Sequence, residues 1–391
     1  MRYDVGMITT HVSPALGFGG VAVSAARLAA AWASDPSRHI GLCSSNASEK
    51  ATISAEDVAF GSNVTVRLYH AYRFNRWGFG LGAIPRLIVL CARARFVYLN
   101  GIATWPTTLG AILCCLLKRT FIVAPRGGLM PEHVAHIRLN RHAKWMFYRM
   151  LTFPWIKRGK ALHCTGKIEA NGSKTWLGAS VRIVIAPNGI ELPPLSAAAP
   201  PLIEDKLILA YVGRISHEKG INTLLNAWLK CRRPADEFLV AGSSSGVAEE
   251  GYFKGFQEIV SQSGGAIRYL GYLDRSGVDK VIEQSHFLTL PSGLDGDVRE
   301  NFGNTVAEAM ALGRPVIVCS GLEWDEVETL GAGFVFERHP DAAISILRRA
   351  AATNNDTWLS MGAQARKYAE QRLDIRITAE RVWNALTDGH R

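Results

Sequence analysis

Two carboxylates eight positions apart, Glu300 and Glu308, flank a Glu-Asn-Phe-Gly turn inside the stretch from Leu290 to Val318. An apolar strand end at Phe287–Leu290 runs into a Gly/Asp-rich loop. The pattern predicts a helix from near Gly303 and a second apolar strand after Gly313-Arg314-Pro315. Asn301, Phe302 and Gly303 then bring backbone N–H groups to a helix N-terminus, which suits an anion such as a diphosphate. Glu308 lies roughly 8 Å further along the helix axis than Gly303, from the rise per residue. An ionised carboxylate only accepts hydrogen bonds, so its natural partner is a pair of hydroxyls on a sugar ring or a ribose. One acid can address one end of a long ligand and the other its far end. The same two acids also fit a helix start stabilised through its dipole.

Cations suited to a diphosphate occur earlier, in Val212-Gly-Arg214-Ile-Ser-His217-Glu-Lys219-Gly220. Arg214 offers a planar fork and Lys219 a point charge; alone, each also reads as a solvated loop cation. Near the N-terminus a strand at 3–8, a loop ending Gly17-Phe-Gly19-Gly20 and a helical run from Val21 to Trp32 form a phosphate-approach arrangement. Its glycines are not spaced as GxGxxG, and a flexible surface turn fits them too. Asp295 and Asp297 suggest a Mg²⁺ pair or, more simply, a turn. No metal-ligand cluster is visible, so no metal and no cofactor is expected.

The elements that must position these residues follow from the alternation of apolar runs with helical stretches. A chain of 391 residues, 48% hydrophobic and 20% charged, is a soluble globular protein of two domains by size. In the first half strands are expected at 3–8, 40–43, 64–68, 96–99, 120–124, 161–164 and 182–185. Helices are expected between most of them, including Thr107–Leu117 and Arg141–Leu151. Residues 185–205, rich in Pro, Ala and Gly, read as a linker. A second alternation starts at Lys206 and ends in two helical stretches, Trp358–Gln371 and Ile375–Leu386. The fold class is therefore α/β: two Rossmann-like, doubly wound domains facing a cleft, with ligands at the carboxyl ends of the strands. The expected boundaries are 1–188, a linker over 189–205, 206–371, and a C-terminal helix over 372–391 that packs back on the first domain.

The N-terminus enters a strand with no signal-peptide pattern, and the uncharged run Phe96–Leu117 is broken by Asn100, Gly101 and Pro106, too short to cross a bilayer. Seven cysteines without CxxC spacing read as reduced core thiols. Charge is unevenly placed. Residues 1–190 hold 23 Lys/Arg against 7 Asp/Glu, a net of +16, whereas the remainder holds 21 against 27, a net of −6. That asymmetry points to an anionic partner for the first half: a membrane surface, nucleic acid or a phosphorylated substrate. Residues 133–160 hold seven Lys/Arg, two Trp, a Tyr, two Phe and no acid. Such a mixture suits a membrane interface, or else a helix whose Trp145 and Tyr148 pack inward.

The C-half signature, Val-Gly-Arg-Ile-Ser-x-Glu-Lys-Gly, then Leu-Pro-Ser, Glu-Asn-Phe-Gly-x4-Glu-Ala and Gly-x-Pro-Val-Ile, resembles glycosyltransferase family 4. Looser N-half motifs extend the resemblance over nearly the whole chain: Asn100-Gly101, Pro125-Arg126-Gly-Gly, His163-Cys-Thr165 with Glu169, and Pro187-Asn188-Gly189. They look like members that build bacterial exopolysaccharide, capsule or O-antigen repeat units. The resemblance implies a GT-B fold and a retaining, metal-independent hexosyltransferase. Its donor would be a nucleoside-diphosphate sugar (GDP- or UDP-linked) and its acceptor a polyprenyl-diphosphate-linked saccharide. It further implies a cytoplasmic protein, peripheral at the inner face of the cell membrane, with an anionic membrane surface and no nucleic acid among its partners.

Carried over by position, Glu300 would meet donor-sugar hydroxyls, Arg214 and Lys219 would neutralise the leaving diphosphate, and Glu308 would hold the ribose. Asn301, Phe302 and Gly303 would lie near sugar and phosphate, with Gly19 and Gly20 approaching from the other domain. The base would lie near Tyr269–Leu273, beside Tyr272. Asn100, Arg126 and His133 would face the acceptor, with His11 and His136 as further candidates. Two departures stand out. Gly293–Arg299 lengthens the loop before Glu300, where donor choice is made, and Asn100 stands where many relatives carry a His, so no general base is assigned there. Other readings of the chain are a nucleotide-sugar 2-epimerase on a similar architecture, or a non-catalytic protein that binds anions or nucleic acid through its basic half.

Overall fold

The computed structural model describes residues 2–15, 20–48, 52–58, 60–72, 74–195, 200–244, 249–296 and 300–388. The chain divides into two compact units, Met1–Glu191 with Ile375–Arg391, and Leu192–Asp374.

The first unit follows the expected alternation: β1 (Tyr3–Thr9), α1 (Gly20–Ala33), β2 (Ile40–Ser45), β3 (Val64–Tyr69), α2 (Ala83–Arg93), β4 (Ala94–Asn100), α3 (Trp105–Leu116) and β5 (Thr120–Ala124). It continues with α4 (Pro131–Asn140), α5 (His142–Phe147), α6 (Phe153–Ile156), β6 (Ala161–Cys164), α7 (Lys167–Leu177) and β7 (Ile183–Ile185). The strands form one parallel sheet in the order β3-β2-β1-β4-β5-β6-β7. The order reverses between β1 and β4, whose ends align as Thr9 with Asn100. Crevices at such reversals, beyond the carboxyl ends of the strands, are where ligands bind in this architecture.

The second unit comprises β8 (Ile208–Val212), α8 (Ile221–Leu229), β9 (Glu237–Ala241), α9 (Glu250–Gln262), β10 (Ile267–Tyr269), α10 (Arg275–Glu283) and β11 (Phe287–Leu290). Then come α11 (Asn304–Ala311), β12 (Val316–Cys319), β13 (Gly333–Phe336), α12 (Pro340–Ala351) and α13 (Asn355–Tyr368). Its parallel sheet has the order β10-β9-β8-β11-β12-β13 and reverses between β8 and β11. The last helix, α14 (Ile375–Thr387), belongs to the first unit.

Alternation along β4 shows how the first sheet is covered on both faces. Val97 and Leu99 enter a core with Leu87, Leu90 and Cys114, while Phe96 and Tyr98 enter another with Trp32, Val382 and Leu386. Trp32 binds α14 directly, its indole N–H donating to the Ala379 carbonyl at 2.9 Å. Within the stretch read as a linker Ile203 is buried, and Arg233 donates to the carbonyls of Ile203 and Glu204 at 2.7 and 2.8 Å.

The helix expected over 141–151 is interrupted by a π-helical turn at Tyr148–Thr152. Pro154 has no N–H to offer the α-helical pattern, and the Phe153 N–H reaches back to the Tyr148 carbonyl instead. Tyr148 is buried, and Trp145 packs edge-on against Phe153 and Trp176 with centroids 6.0 Å apart in each case. Of the two readings of 133–160, its aromatic rings follow the inward one. Among the described residues no helix is long and apolar enough to cross a membrane.

Candidate functional site

In the second unit, the segments after β8 and after β11 carry Arg214 and Lys219, and Ser292 and Glu300, and the sheet reversal brings Lys219, Ser292 and Glu300 together. The Lys219 ammonium pairs with Glu300 Oε2, and the Ser292 hydroxyl donates to the same oxygen at 3.1 Å. Both charged side chains are mostly shielded, 17% exposed for Lys219 and 12% for Glu300. Burial alone pushes the Glu300 pKa up. The Lys219 charge and hydrogen bond, with Ser292 and the Arg214 charge, outweigh it and hold the carboxyl below its ordinary value.

Glycine makes this approach possible. Gly220 has φ +67°, and a Cβ there would stand 2.4 Å from the Pro291 carbonyl oxygen. Gly303, at φ +75°, caps α11, and a Cβ on it would meet Leu290 at 2.9 Å and the Trp324 indole nitrogen at 3.2 Å. The Trp324 N–H donates to the Phe302 carbonyl and its ring packs on Phe302 at 4.9 Å, so a buried indole holds the turn that leads into the helix. First-turn N–H groups of α11 lack helical acceptors, and the helix dipole favours negative charge there.

Arg214 is more than half exposed and forms an ion pair with Glu218 at 2.5 Å. Glu308 lies on α11, nearly buried, and its carboxylate pairs with Arg275 at the start of α10. Arg275 also reaches Asp279 at 2.8 Å. Tyr272, just before α10, is 65% exposed. Asp295 accepts from the Tyr252 hydroxyl at 2.6 Å, whereas Asp297 and Gly17–Gly19 lie outside the described residues. Gly20 opens α1.

In the first unit a second polar cluster sits at the ends of β4 to β7. Arg126 adopts a left-handed backbone conformation at φ +53°, uncommon for a residue with a side chain. Its guanidinium donates to Asn100 Oδ1 at 2.7 Å, to the Tyr98 hydroxyl at 2.9 Å and to Asn188 Oδ1. Asn100 is wholly buried, its amide N–H groups donating to Thr9 Oγ1 and the Val21 carbonyl, both at 3.2 Å. The tautomer of His163 follows from its partners. Burial, with the Arg126 charge, lowers the His163 pKa to about 3 and keeps the ring neutral. The Ala186 carbonyl, 2.9 Å from Nε2, can only accept, so Nε2 carries the proton and Nδ1 accepts from the Tyr98 hydroxyl at 2.7 Å.

Buried Glu169 holds the turn after Arg126. Its carboxylate accepts the Gly127 N–H at 2.5 Å and the Thr165 N–H and hydroxyl at 2.9 and 3.1 Å. Burial raises its pKa against the pull of those N–H groups. His133 is half-buried in the first turn of α4. His136 lies 3.2 Å from the Asn140 amide, and His11 is buried with its pKa lowered to about 4 by desolvation.

Two Rossmann-like units with these parallel sheets define a GT-B fold. Residues 196–371, the segment that holds Lys219, Glu300 and Glu308, match the family model described as Glycosyl transferases group 1. An uncharacterized glycosyltransferase, MJ1607 of Methanocaldococcus jannaschii, is 28% identical over 145 residues. That alignment spans 36% of this chain and about a third, 34%, of the relative. Among solved structures, Alr3699/HepE of Anabaena in complex with UDP and glucose superimposes with a TM-score of 0.74 at 16% identity, over 99% of this chain and 100% of that one. WaaG, a glycosyltransferase involved in lipopolysaccharide biosynthesis, does so with a TM-score of 0.69 at 16% identity, over 98% and 100%. At such identities the likeness is one of fold.

Proposed function

We propose that this chain is a retaining, metal-independent glycosyltransferase that moves a hexose from a nucleoside-diphosphate sugar to a polyprenyl-diphosphate-linked saccharide in surface polysaccharide synthesis. The observation that carries this reading is the Lys219–Glu300 pair at the β8/β11 reversal, beside the Gly303-capped start of α11. A nucleotide sugar as donor is supported by the HepE structure, which holds UDP and glucose.

The donor divides the pair: sugar hydroxyls take Glu300, and the diphosphate takes Lys219, Arg214 and the α11 N-terminus with Asn301 and Phe302. Ribose hydroxyls take Glu308, with Tyr272 toward the base. Glycosyl transfer passes through an oxocarbenium-like state, while negative charge grows on the departing diphosphate. Fixed cations and a helix N-terminus aimed at that charge lower the barrier. With retention at the anomeric carbon, the leaving phosphate accepts the acceptor's proton, so no side chain is assigned as general base.

On the acceptor side, Arg126 presents a cation held by neutral oxygens, among them Oδ1 of Asn100, and His133 on α4 is a further acceptor contact. The membrane reading is supported by the surface of α4 to α6. Leu139, Met146, Met150 and Leu151 are exposed there together with Arg138, Arg141, Arg149, Lys157 and Arg158. Apolar side chains ringed by cations suit an anionic lipid surface at the cytoplasmic face.

A thermal-shift screen across UDP- and GDP-sugars tests the donor, because a ligand bound only by the folded state raises apparent stability by mass action. One nucleotide class should raise Tm in the wild type and fail to do so in Glu308→Ala. No shift with any nucleotide sugar refutes the reading, and epimerisation of the donor without acceptor replaces it with a 2-epimerase.

A further inference from the structure

The Lys219–Glu300 pair depends on the turn at 216–220 and on the segment that opens at Pro291, and the first turn of α9 grips both. Glu249, at the α9 N-cap, accepts the N–H of His217 at 3.0 Å. The Tyr252 hydroxyl accepts the N–H of Asn222 at 3.0 Å and donates to Asp295 Oδ2 at 2.6 Å. Its backbone carbonyl accepts the Asn222 amide at 3.0 Å. One phenol oxygen therefore ties the start of α8, directly after Lys219, to the loop that carries Ser292.

That loop lies against the lysine turn. The Gly293 N–H donates to the Glu218 carbonyl at 3.2 Å, and a Cβ on Gly296 would stand 2.9 Å from the His217 ring. Among the described residues, Asp295 Oδ1 has no hydrogen-bond partner, so the Tyr252 hydroxyl is what anchors that carboxylate. Burial, then the Asp295 bond, raises the Tyr252 pKa, and the phenol stays a donor. Removing the hydroxyl leaves both the Asn222 N–H and a partly buried carboxylate without this partner, the costly way to lose a hydrogen bond.

We propose that Tyr252 is a positioning residue for the sugar end of the donor. Through Asp295 and Asn222 it fixes the loop bearing Ser292 and the turn bearing Lys219, so that Glu300 is presented to the donor sugar. This rests on the reading of Glu300 as the sugar-facing acid. The nucleoside end, at Glu308 and Arg275, is built on α10 and α11.

Calorimetric titration of wild type, Tyr252→Phe, Asp295→Ala and Asp295→Asn with UDP, UDP-glucose, GDP and GDP-mannose tests this. Tyr252→Phe and Asp295→Ala should lose about tenfold in affinity for the sugar nucleotide the wild type prefers, and keep the matching nucleoside diphosphate within about twofold. Asp295→Asn, whose amide oxygen still accepts from Tyr252, should stay near wild type. Equal losses for both ligands, or none, overturn the positioning role. A wild type that binds none of the four overturns the donor-site reading itself.

Discussion

Removing the Lys219 ammonium leaves Glu300, 12% exposed, with the Ser292 hydroxyl still donating to it at 3.1 Å. Breaking a fully buried ion pair from one side costs about 3–5 kcal/mol, and an exposed pair is worth ~0.2–1 kcal/mol. With both side chains largely shielded and one hydrogen bond kept, Lys219→Ala should destabilise the second unit by about 2–3 kcal/mol, or ~5–10 °C in Tm for a domain of this size. Glu300→Gln should cost less, because the amide oxygen still accepts from Ser292. The double variant Lys219→Ala/Glu300→Gln leaves no buried charge, so it should be more stable than Lys219→Ala, with a coupling energy of ~2 kcal/mol. The pair also sets an acid limit. The folded-state pKa of Glu300 is held below the unfolded value of ~4.3. Its stabilisation is therefore full above that pH and lost as pH falls through the folded pKa. Lys219→Ala should show less of this acid sensitivity. Scanning calorimetry that resolves the second unit's transition, run across pH, reads all three effects. Simple additivity of the single variants, or an unchanged acid limb, would refute the reasoning.

Other consequences can be measured separately. Gly220→Ala should unfold the second unit at lower temperature, since a left-handed backbone costs about 1–2 kcal/mol for a residue with a Cβ and this Cβ also meets the Pro291 carbonyl. It should weaken sugar-nucleotide binding in the same titration. His163, whose folded pKa is lowered to about 3, contributes stability that is full above its unfolded pKa of ~6.5 and declines as pH falls toward the folded value. Protection of the Ala186 and Thr165 amides, as hydrogen-exchange rates relative to their intrinsic rates at each pH, should therefore fall on acidification below pH ~6. Met150→Glu with Arg149→Glu reverses the surface of the π-helical turn without touching the core. It should reduce co-sedimentation with anionic liposomes while leaving donor binding unchanged, and undiminished sedimentation would remove this face from the membrane.

Much of the architecture is visible in the sequence because parallel strands buried on both faces read as short apolar runs between helical stretches. Lys219, Ser292 and Glu300 are brought together by the β8/β11 reversal, which chain order alone does not display. The residues that support them carry little signal. Tyr252 lies 30 positions from Asn222 and 43 from Asp295, Trp324 22 from Phe302 and Arg275 33 from Glu308, and none of the three belongs to a short motif. Trp324 reads as an ordinary apolar residue, and its indole N–H is committed to Phe302 only once the fold is formed. The same holds for Arg126. Its three side-chain partners come from β4 and from the segment after β7, and its turn is held by Glu169 from α7. Trp145 and Tyr148 illustrate the opposite problem. Composition placed them equally well at a membrane or inside, and packing against Phe153 and Trp176 decided for the interior.

The central claim is retaining transfer from a nucleotide sugar. The most direct measurement is the NMR spectrum of the product formed from an α-linked nucleoside-diphosphate hexose and a polyprenyl-diphosphate-linked saccharide. An α-configured glycosidic linkage, absent with Glu300→Ala, is the predicted result. A β-linkage, or an epimerised donor appearing without acceptor, would contradict it.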